Sequence, residues 1–224
     1  MRLSQRRIDI VAHNVANVTT PGYKRGVTSV RFADIAHASL DIPSMPQPIT
    51  TNDQGKMLST GNKLDLAISG LGYFVLRRGD VTAYSRSGQF RLDGDGRVVD
   101  GQGFALQQAG GGDLTLDTSN VVIEADGTVL DKDRPIARIA LLAPSDEASP
   151  QRLGDSYVTA PDAAMTEADG RIHQGMLEGS NVVLTDEMVT MMAALRQAES
   201  GARLIQTYDE LLGQAVDILG RGGK

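Results

Sequence analysis

The sequence predicts an α+β protein: long N- and C-terminal helices pair as a coiled-coil-like stem, and a central all-β domain of short strands and hairpins lies between them. Three observations carry this expectation. Apolar residues recur at 3-4 spacing near both ends of the chain. Residues 64–142 between them are crowded with Gly, Asp and β-branched side chains. The 224 residues include only five Tyr, four Phe and no Trp, so the core must be largely aliphatic.

In the N-terminal segment, Met1, Ser4, Ile8, Val11, Val15 and Val18 form a seam with one polar slot. Thr20-Pro21-Gly22 stops the helix, because Pro lacks a donor and biases the residue before it away from helical geometry. The middle reads as hairpins. Residues 73–78 and 81–85 flank Gly79-Asp80, residues 89–92 and 97–99 flank Asp93-Gly94-Asp95-Gly96, and residues 121–124 and 128–130 flank Ala125-Asp126-Gly127. Residues 136–142 read as a further buried strand. Residues 38–63, with Pro43, Pro46 and Pro48, read as an extended connector, and residues 143–170 as a second loop-rich stretch.

The C-terminal segment has the strongest period. Asn181, Leu184, Met188, Met191, Leu195, Ala198, Ala202, Ile205, Asp209, Leu212, Val216 and Leu219 follow 3-4 spacing without a slip. Thr185 reads as the N-cap, with Asp186 and Glu187 near the positive end of the helix dipole. Such a helix reaches about 58 Å. Gly201 and Gly213 mark bends or points of close approach. The division expected is 1–31 for the N-terminal helix and turn, 32–63 for the connector, 64–175 for the β domain and 176–224 for the C-terminal helix.

Charge sorts by position. The whole chain has 22 Lys and Arg against 28 Asp and Glu, a net of −6. Residues 1–31 carry six Lys/Arg against Asp9, whereas residues 181–219 carry six acids against Arg196 and Arg203. Opposite signs favour pairing of the two ends and leave its direction open.

Composition excludes several chemistries. Without Cys there is no disulfide scaffold, thiol nucleophile or Cys-ligated zinc. Three scattered histidines (His13, His37, His173) do not build a metal or triad site. The acidic balance argues against nucleic acid as partner. No run approaches the ~18 apolar residues of a membrane span. Asp9 and His13-Asn14 interrupt the N-terminal apolar stretch, so no cleavable secretory signal is expected.

No motif carries catalysis. Asp93-x-Asp95 is followed by Arg97 and Val98 where a calcium loop requires another ligand, so it reads as a turn. Gly70-Leu71-Gly72 lacks the third Gly of a dinucleotide fingerprint and precedes a strand. Asp146-Glu147, Asp186-Glu187 and Asp209-Glu210 read as solvated faces, with no apolar setting to raise a carboxyl pKa. Met188, Met191 and Met192 could line a peptide groove, but at this spacing they read as core. No catalytic residue, cofactor, metal or small-molecule substrate is expected.

Three phrases remain. Asn14-Val15-Ala16-Asn17-Val18-Thr19-Thr20-Pro21-Gly22-Tyr23-Lys24 closes the first helix. Gly61-Asn62-Lys63-Leu64-Asp65 leads through Gly70 and Gly72 to Phe74. Leu177-Glu178-Gly179-Ser180-Asn181-Val182 enters the last helix, with Glu187-Met188 following. These phrases, in this order, resemble the flagellar basal-body rod and hook family. The resemblance implies a structural subunit whose terminal helices pair into an axial core and whose β domain lies outside it. It implies export through the flagellar type III apparatus, helical assembly with other rod subunits in the periplasmic basal body, and no membrane insertion. The shorter connector after residue 31 and the Leu3–Asp9 start look more like proximal-rod than distal-rod members. The first helix is shorter than usual for the family, His13 stands where Asn is common, and Ala198 where a bulky aromatic is frequent. Two other readings stay open here: a β binding module tethered by a dimerising coiled coil, and an acid-pair hydrolase acting on peptidoglycan.

Overall fold

A computed structural model describes residues 2–28, 48–51, 53–145, 151–154, 156–161 and 164–221, of which 2–4, 28, 48–50 and 214–221 are described in backbone only. In chain order the elements are α1 (Arg2–Ala16), β1 (Gly26–Thr28), β2 (Pro48–Thr50), β3 (Met57–Ser59), β4 (Leu66–Ser69), β5 (Tyr73–Arg78), β6 (Val81–Ser85), β7 (Arg91–Leu92), β8 (Val98–Val99) and β9 (Ala105–Leu106). They continue with β10 (Val122–Ile123), β11 (Thr128–Asp131), β12 (Arg134–Arg138), β13 (Leu141–Pro144), β14 (Gln151–Arg152), β15 (Tyr157–Thr159), β16 (Met165–Glu167), β17 (Arg171–Gln174), β18 (Met176–Glu178) and α2 (Leu184–Arg221). The protein is α+β, as the patterning predicts. It divides into two compact units. One comprises α1, β1, β2 and α2; the other comprises residues 17–25 together with β3–β18.

In the helical unit, α1 has 15 residues and is short rather than long. It ends at Ala16 because the next residues make a turn: the Thr20 N–H donates to the Asn17 carbonyl at 3.1 Å, and the Thr20 hydroxyl to Asn17 Oδ1 at 3.0 Å. Val18 therefore lies beyond the helix. Helix α2 has 38 residues, about 57 Å of rise. It starts one residue before the expected cap, so Thr185 is inside the first turn; the Val183 carbonyl accepts the N–H groups of Asp186 and Glu187, both at 3.1 Å. Neither Gly201 nor Gly213 interrupts the helix, and a Cβ added at either meets nothing within 4 Å. β1 and β2 pair antiparallel, with Val27 opposite Ile49.

The β unit is built from short antiparallel ladders. Its largest sheet has nine strands, running β14-β15-β6-β5-β9-β8-β7, with β13 joining β5 to β16. β10-β11-β12 form a three-stranded sheet, and β17-β4 and β18-β3 are separate pairs. All three expected hairpins are present: β5 with β6, β7 with β8, and β10 with β11. Gly and Asp place the turns. At the second, Asp93 Oδ1 accepts the N–H groups of Asp95 and Arg97, both at 2.9 Å, so this carboxylate serves the turn. At the third, Asp126 accepts the Thr128 N–H and hydroxyl, which hold its carboxyl below the usual carboxylate range.

Three stretches differ from expectation. The span read as one strand over 136–142 is two strands: Ile139 and Ala140 separate β12 from β13, and Ile136 is exposed while Ile139 and Leu141 are buried. The connector contains β2 and β3, the latter paired with β18, and the loop-rich stretch contains the end of β13 and all of β14 to β16. Strands of two to four residues with Pro or Gly nearby leave too little alternation to be read as a period.

The main core cluster of the β unit is aliphatic apart from Phe74, Phe90 and Phe104. Leu64, Leu66, Ile68, Leu76, Leu106, Val129 and Ile172 surround an edge-on Phe74–Phe90 pair with ring centres 5.4 Å apart. A smaller cluster of Tyr73, Val75, Tyr84, Val158 and Met165 covers the other face of β5 and β6. The Tyr157 hydroxyl donates to Asp100 at 2.7 Å.

Residues 17–25 cross the β unit as a strap. The Gly22 N–H donates to the Glu178 carbonyl at 2.7 Å, and Tyr23 is fully buried. Arg152 lies over the Tyr23 ring, donates to the Tyr23 hydroxyl at 3.0 Å and also to the Lys24 carbonyl. Gly22 has φ of +70°, and a Cβ there would stand 2.2 Å from the Ser87 nitrogen. Gly22→Val combines left-handed strain with a backbone clash, so we expect a loss of about 3 kcal/mol or more, read as a lower midpoint in urea denaturation.

Candidate functional site

Two polar anchors and one apolar helix face make up the candidate site. The first anchor lies in the β unit. Glu178, on β18, is fully buried and accepts Lys24 Nζ at 2.6 Å on Oε1 and Arg86 Nη1 at 3.2 Å on Oε2. The Gly55 N–H adds a bond to Oε1 at 2.9 Å. Lys24 also donates to the Asp53 carbonyl at 2.8 Å, and Arg86 Nη2 to the Gly70 carbonyl at 2.6 Å. Both cations are buried, with side-chain exposures of 7% for Lys24 and 5% for Arg86. Burial pushes the Lys24 ammonium below its ordinary value, while the hydrogen bond and charge of Glu178 push back. Gly55 fits here for lack of a side chain: a Cβ would stand 1.9 Å from the Gly179 carbonyl oxygen.

The second anchor lies in the helical unit. Asn14 Nδ2 donates to the Gly26 carbonyl at 2.9 Å and to Glu187 Oε2 at 3.1 Å, while Asn14 Oδ1 accepts the Gly26 N–H at 2.8 Å. Asn14 and Glu187 are buried. Glu187 is thus not on a solvated face, as its pairing with Asp186 predicts; Asp186 is exposed and Glu187 points inward to Asn14. Asp209 and Glu210 are exposed as expected, and Asp146-Glu147 lie outside the described residues. Because the end of α1 meets the start of α2, the two helices run antiparallel, the direction that charge left open.

The apolar face follows from their unequal lengths. α1 rises about 22 Å and cannot cover 57 Å of α2. Val11 is buried, and Ile8 and Val15 are half-buried. On α2, Ala194 is buried, and Met191, Ala198 and Ala202 are half-buried. Leu184, Met188 and Leu195 flank that strip and stay exposed. Past Ala202 every side chain through residue 213 is exposed, including Leu204 at 72%, Ile205 at 50%, Tyr208 at 63% and Leu212 at 48%. The side chains of Val216 and Leu219 lie outside the described residues.

The residues of the three sequence phrases converge on these anchors and on the β core. Asn17 Oδ1 closes the turn before Pro21. Asn62 Nδ2 donates to Asp65 at 3.1 Å, and Asn62 Oδ1 accepts the Leu64 N–H at 3.3 Å, which positions the buried Leu64 and Asp65. Gly61, Gly70 and Gly72 all have positive φ. Leu177 and Val182 are buried, Ser180 Oγ accepts the Val182 N–H, and Asn181 Oδ1 accepts the Arg25 N–H at 2.6 Å. Lys24, Gly55 and Arg86 complete the first anchor beyond the residues that the sequence points to as a site. Lys24 carries a signal, since it ends the first phrase; Arg86 and Gly55 are isolated residues with no local pattern.

A chain with two terminal helices, a β unit and these phrases in this order fits the class of flagellar rod structural proteins, and comparison with known proteins agrees. Family models match in three places: flagella basal body rod protein over residues 1–24, the flagellar hook protein FlgE/F/G D1 domain over 67–130, and the flagellar basal body rod FlgEFG protein C-terminal region over 173–218. The flagellar basal-body rod protein FlgF of Caulobacter vibrioides is 33% identical, over 97% of this chain and 93% of its own. The rod protein FlgG of Bacillus subtilis is 30% identical, over 97% and 95%. The rod protein FlgF of Mesorhizobium japonicum is 28% identical, over 96% and 92%. The chain belongs to the flagellar basal-body rod protein family.

Buried charges make a direct test of the first anchor. Lys24→Met leaves the Glu178–Arg86 pair in place and should cost about 1.5–3 kcal/mol in urea denaturation, the loss of a charge-assisted hydrogen bond. Adding Glu178→Gln in the same chain should deepen the loss by about a further 3–5 kcal/mol, the cost of leaving Arg86 buried with no carboxylate.

Proposed function

We propose that this chain is a building block of the proximal part of the flagellar rod, assembling helically through α2 and transmitting torque from motor to hook. The observation that carries this is the apolar face of α2 beyond the reach of α1. In this reading Leu184, Met188, Met191, Leu195, Ala198, Ala202, Ile205, Leu212, Val216 and Leu219 form a seam against neighbouring rod subunits, with Ile8, Val11 and Val15 supporting its base. Burial of such a face contributes about 25 cal/mol per Å². A head-to-tail contact of this kind extends into a filament when it does not close into a ring. Supercoiling of the paired helices into a stem belongs to the assembled state.

The proximal position is supported by the short stretch after residue 31 and by the Leu3–Asp9 start. Relatives named FlgF and FlgG stand at similar identity, 33% and 30%, so the distal rod is the alternative. The route is export by the flagellar apparatus without a cleaved signal, and the place is the periplasmic basal body. The chain has no enzymatic step in this role. Labelling an exposed turn of the β unit, such as Gly79-Asp80, in isolated basal bodies checks the position: label near the motor end supports the proximal rod, and label next to the hook the distal rod.

Leu195 and Ile205 are 45% and 50% exposed in the subunit. Leu195→Asp and Ile205→Asp should therefore change subunit stability by no more than about 0.5–1 kcal/mol. Each should abolish swimming in soft agar and leave the subunit unassembled; normal motility would remove these residues from the seam.

A further inference from the structure

The chain has five Asp-Gly pairs, at 93–94, 95–96, 100–101, 126–127 and 169–170. In such a pair the glycine nitrogen can reach the aspartyl side chain, because glycine has no Cβ to crowd the approach and restricts the backbone least. The fold ties down the first four. Asp93 accepts the N–H groups of Asp95 and Arg97 and the Arg97 Nε, all at 2.9 Å. The Gly96 N–H donates to the Asp93 carbonyl at 3.2 Å, and Asp95 Oδ2 accepts Arg97 Nη2 at 3.3 Å. Asp100 is buried and accepts the N–H groups of Gln102 at 2.8 Å and Phe104 at 2.9 Å, besides the Tyr157 hydroxyl. The Gly127 N–H donates to the Glu124 carbonyl at 3.0 Å, and both carboxylate oxygens of Asp126 are taken by Thr128.

Asp169-Gly170 differs. It lies between β16 and β17, outside the ladders that end at Glu167 and begin at Arg171. Asp169 is exposed. Among the described residues, neither its carboxylate nor the Gly170 N–H has a hydrogen-bond partner.

We propose that Asp169 is a site of spontaneous covalent modification, the Asp-Gly pair that the folded subunit leaves open to isomerisation. The Gly170 nitrogen attacks Asp169 Cγ and gives up its proton. The new N–Cγ bond closes a five-membered succinimide, and the carboxyl hydroxyl leaves with that proton as water. Water then adds back. Opening at Cγ restores aspartate. Opening at the α-carbonyl leaves isoaspartate, with the chain running through Cβ and Cγ and the α-carboxylate free. Nothing is oxidised or reduced, and water is the only co-reactant.

The product places an extra methylene in the backbone where room is scarce. A Cβ at Gly170 would stand 2.5 Å from the Leu71 carbonyl oxygen and 2.9 Å from Ile68 Cγ2, and one at Gly72 would stand 2.8 Å from Ala168 Cβ. Isomerisation therefore strains the join between β16 and β17, and the Ala168 N–H bond to the Leu141 carbonyl, at 3.1 Å, is the nearest to be weakened.

Full-length protein held for weeks at mildly acidic pH, in buffer and in parallel in concentrated urea, tests this. Peptide mapping with electron-transfer fragmentation locates isoaspartate at each pair. A hydrogen bond that must open first should slow closure about fivefold, so in buffer Asp169 should lead every other pair by about fivefold or more. In urea, where no fold protects any pair, the five should convert at similar rates. Asp169→Glu, whose closure needs a six-membered ring, should lose the leading signal and keep the urea midpoint of the unaltered chain. Conversion at Asp95 or any other pair equal to that at Asp169 in buffer overturns the proposal. The same lead for Asp169 in urea also overturns it, because the cause then lies in the local sequence. So does a folded chain in which no pair converts while the unfolded chain does.

Discussion

Glu178 imposes the constraint on which the rest of the β unit depends. A carboxylate with no access to water must be met by cations and donors, and here each partner comes from a different part of the chain: Lys24 from the strap, Arg86 from the turn after β6, and Gly55 from the stretch before β3. Satisfying one charge therefore brings four distant stretches together. The close glycines follow from this demand. A side chain at Gly22 would collide with the Arg86–Ser87 backbone, and one at Gly55 with the Gly179 carbonyl. An apolar residue at 178 could be buried with less desolvation cost, but it would not specify which segments meet.

The helical unit works by a different balance. Its polar knot at Asn14 and Glu187 sets direction and register at one end, while the apolar contact above it is thin. Ala194, Ala198 and Ala202 keep α1 and α2 close but bury little area. Small side chains at the contact and larger ones beside it (Leu184, Met188, Leu195) leave most of the apolar surface of α2 facing outward. That is a poor design for a solitary protein and a suitable one for a subunit of a family whose members build a rod.

Much of this was legible in the sequence, for reasons specific to each element. The three hairpins declare themselves because Gly-Asp and Asp-Gly pairs sit between β-branched runs. The long helix is visible because its period continues without a slip from Asn181 to Leu219. The phrase residues Asn14, Gly22, Glu178 and Asn181 were visible only as a resemblance; their roles come from long-range partners that no local pattern announces. Thr185 illustrates a boundary error: it has the chemistry of a cap, but the Val183 carbonyl already starts the helix. Glu187 shows the harder limit, since an acid beside another acid reads as surface until Asn14, far away in sequence, is found against it. Strands of two or three residues such as β3 and β14 carry too few side chains to show alternation at all.

The distribution of the scarce aromatic residues gives the molecule two separate optical voices. Tyr23, Tyr73, Tyr84 and Tyr157 lie in the β unit, in fixed and mostly buried surroundings, while Tyr208 alone lies on α2 and is open to solvent. With no Trp to dominate emission or near-ultraviolet dichroism, tyrosine signals from this chain report almost wholly on the β unit. Far-ultraviolet ellipticity at the helical minimum reports on α1 and α2, because the β unit has no helix among its described residues beyond single turns. Melting or assembly of the helices and loosening of the sheets can thus be followed in one cuvette without introducing a label.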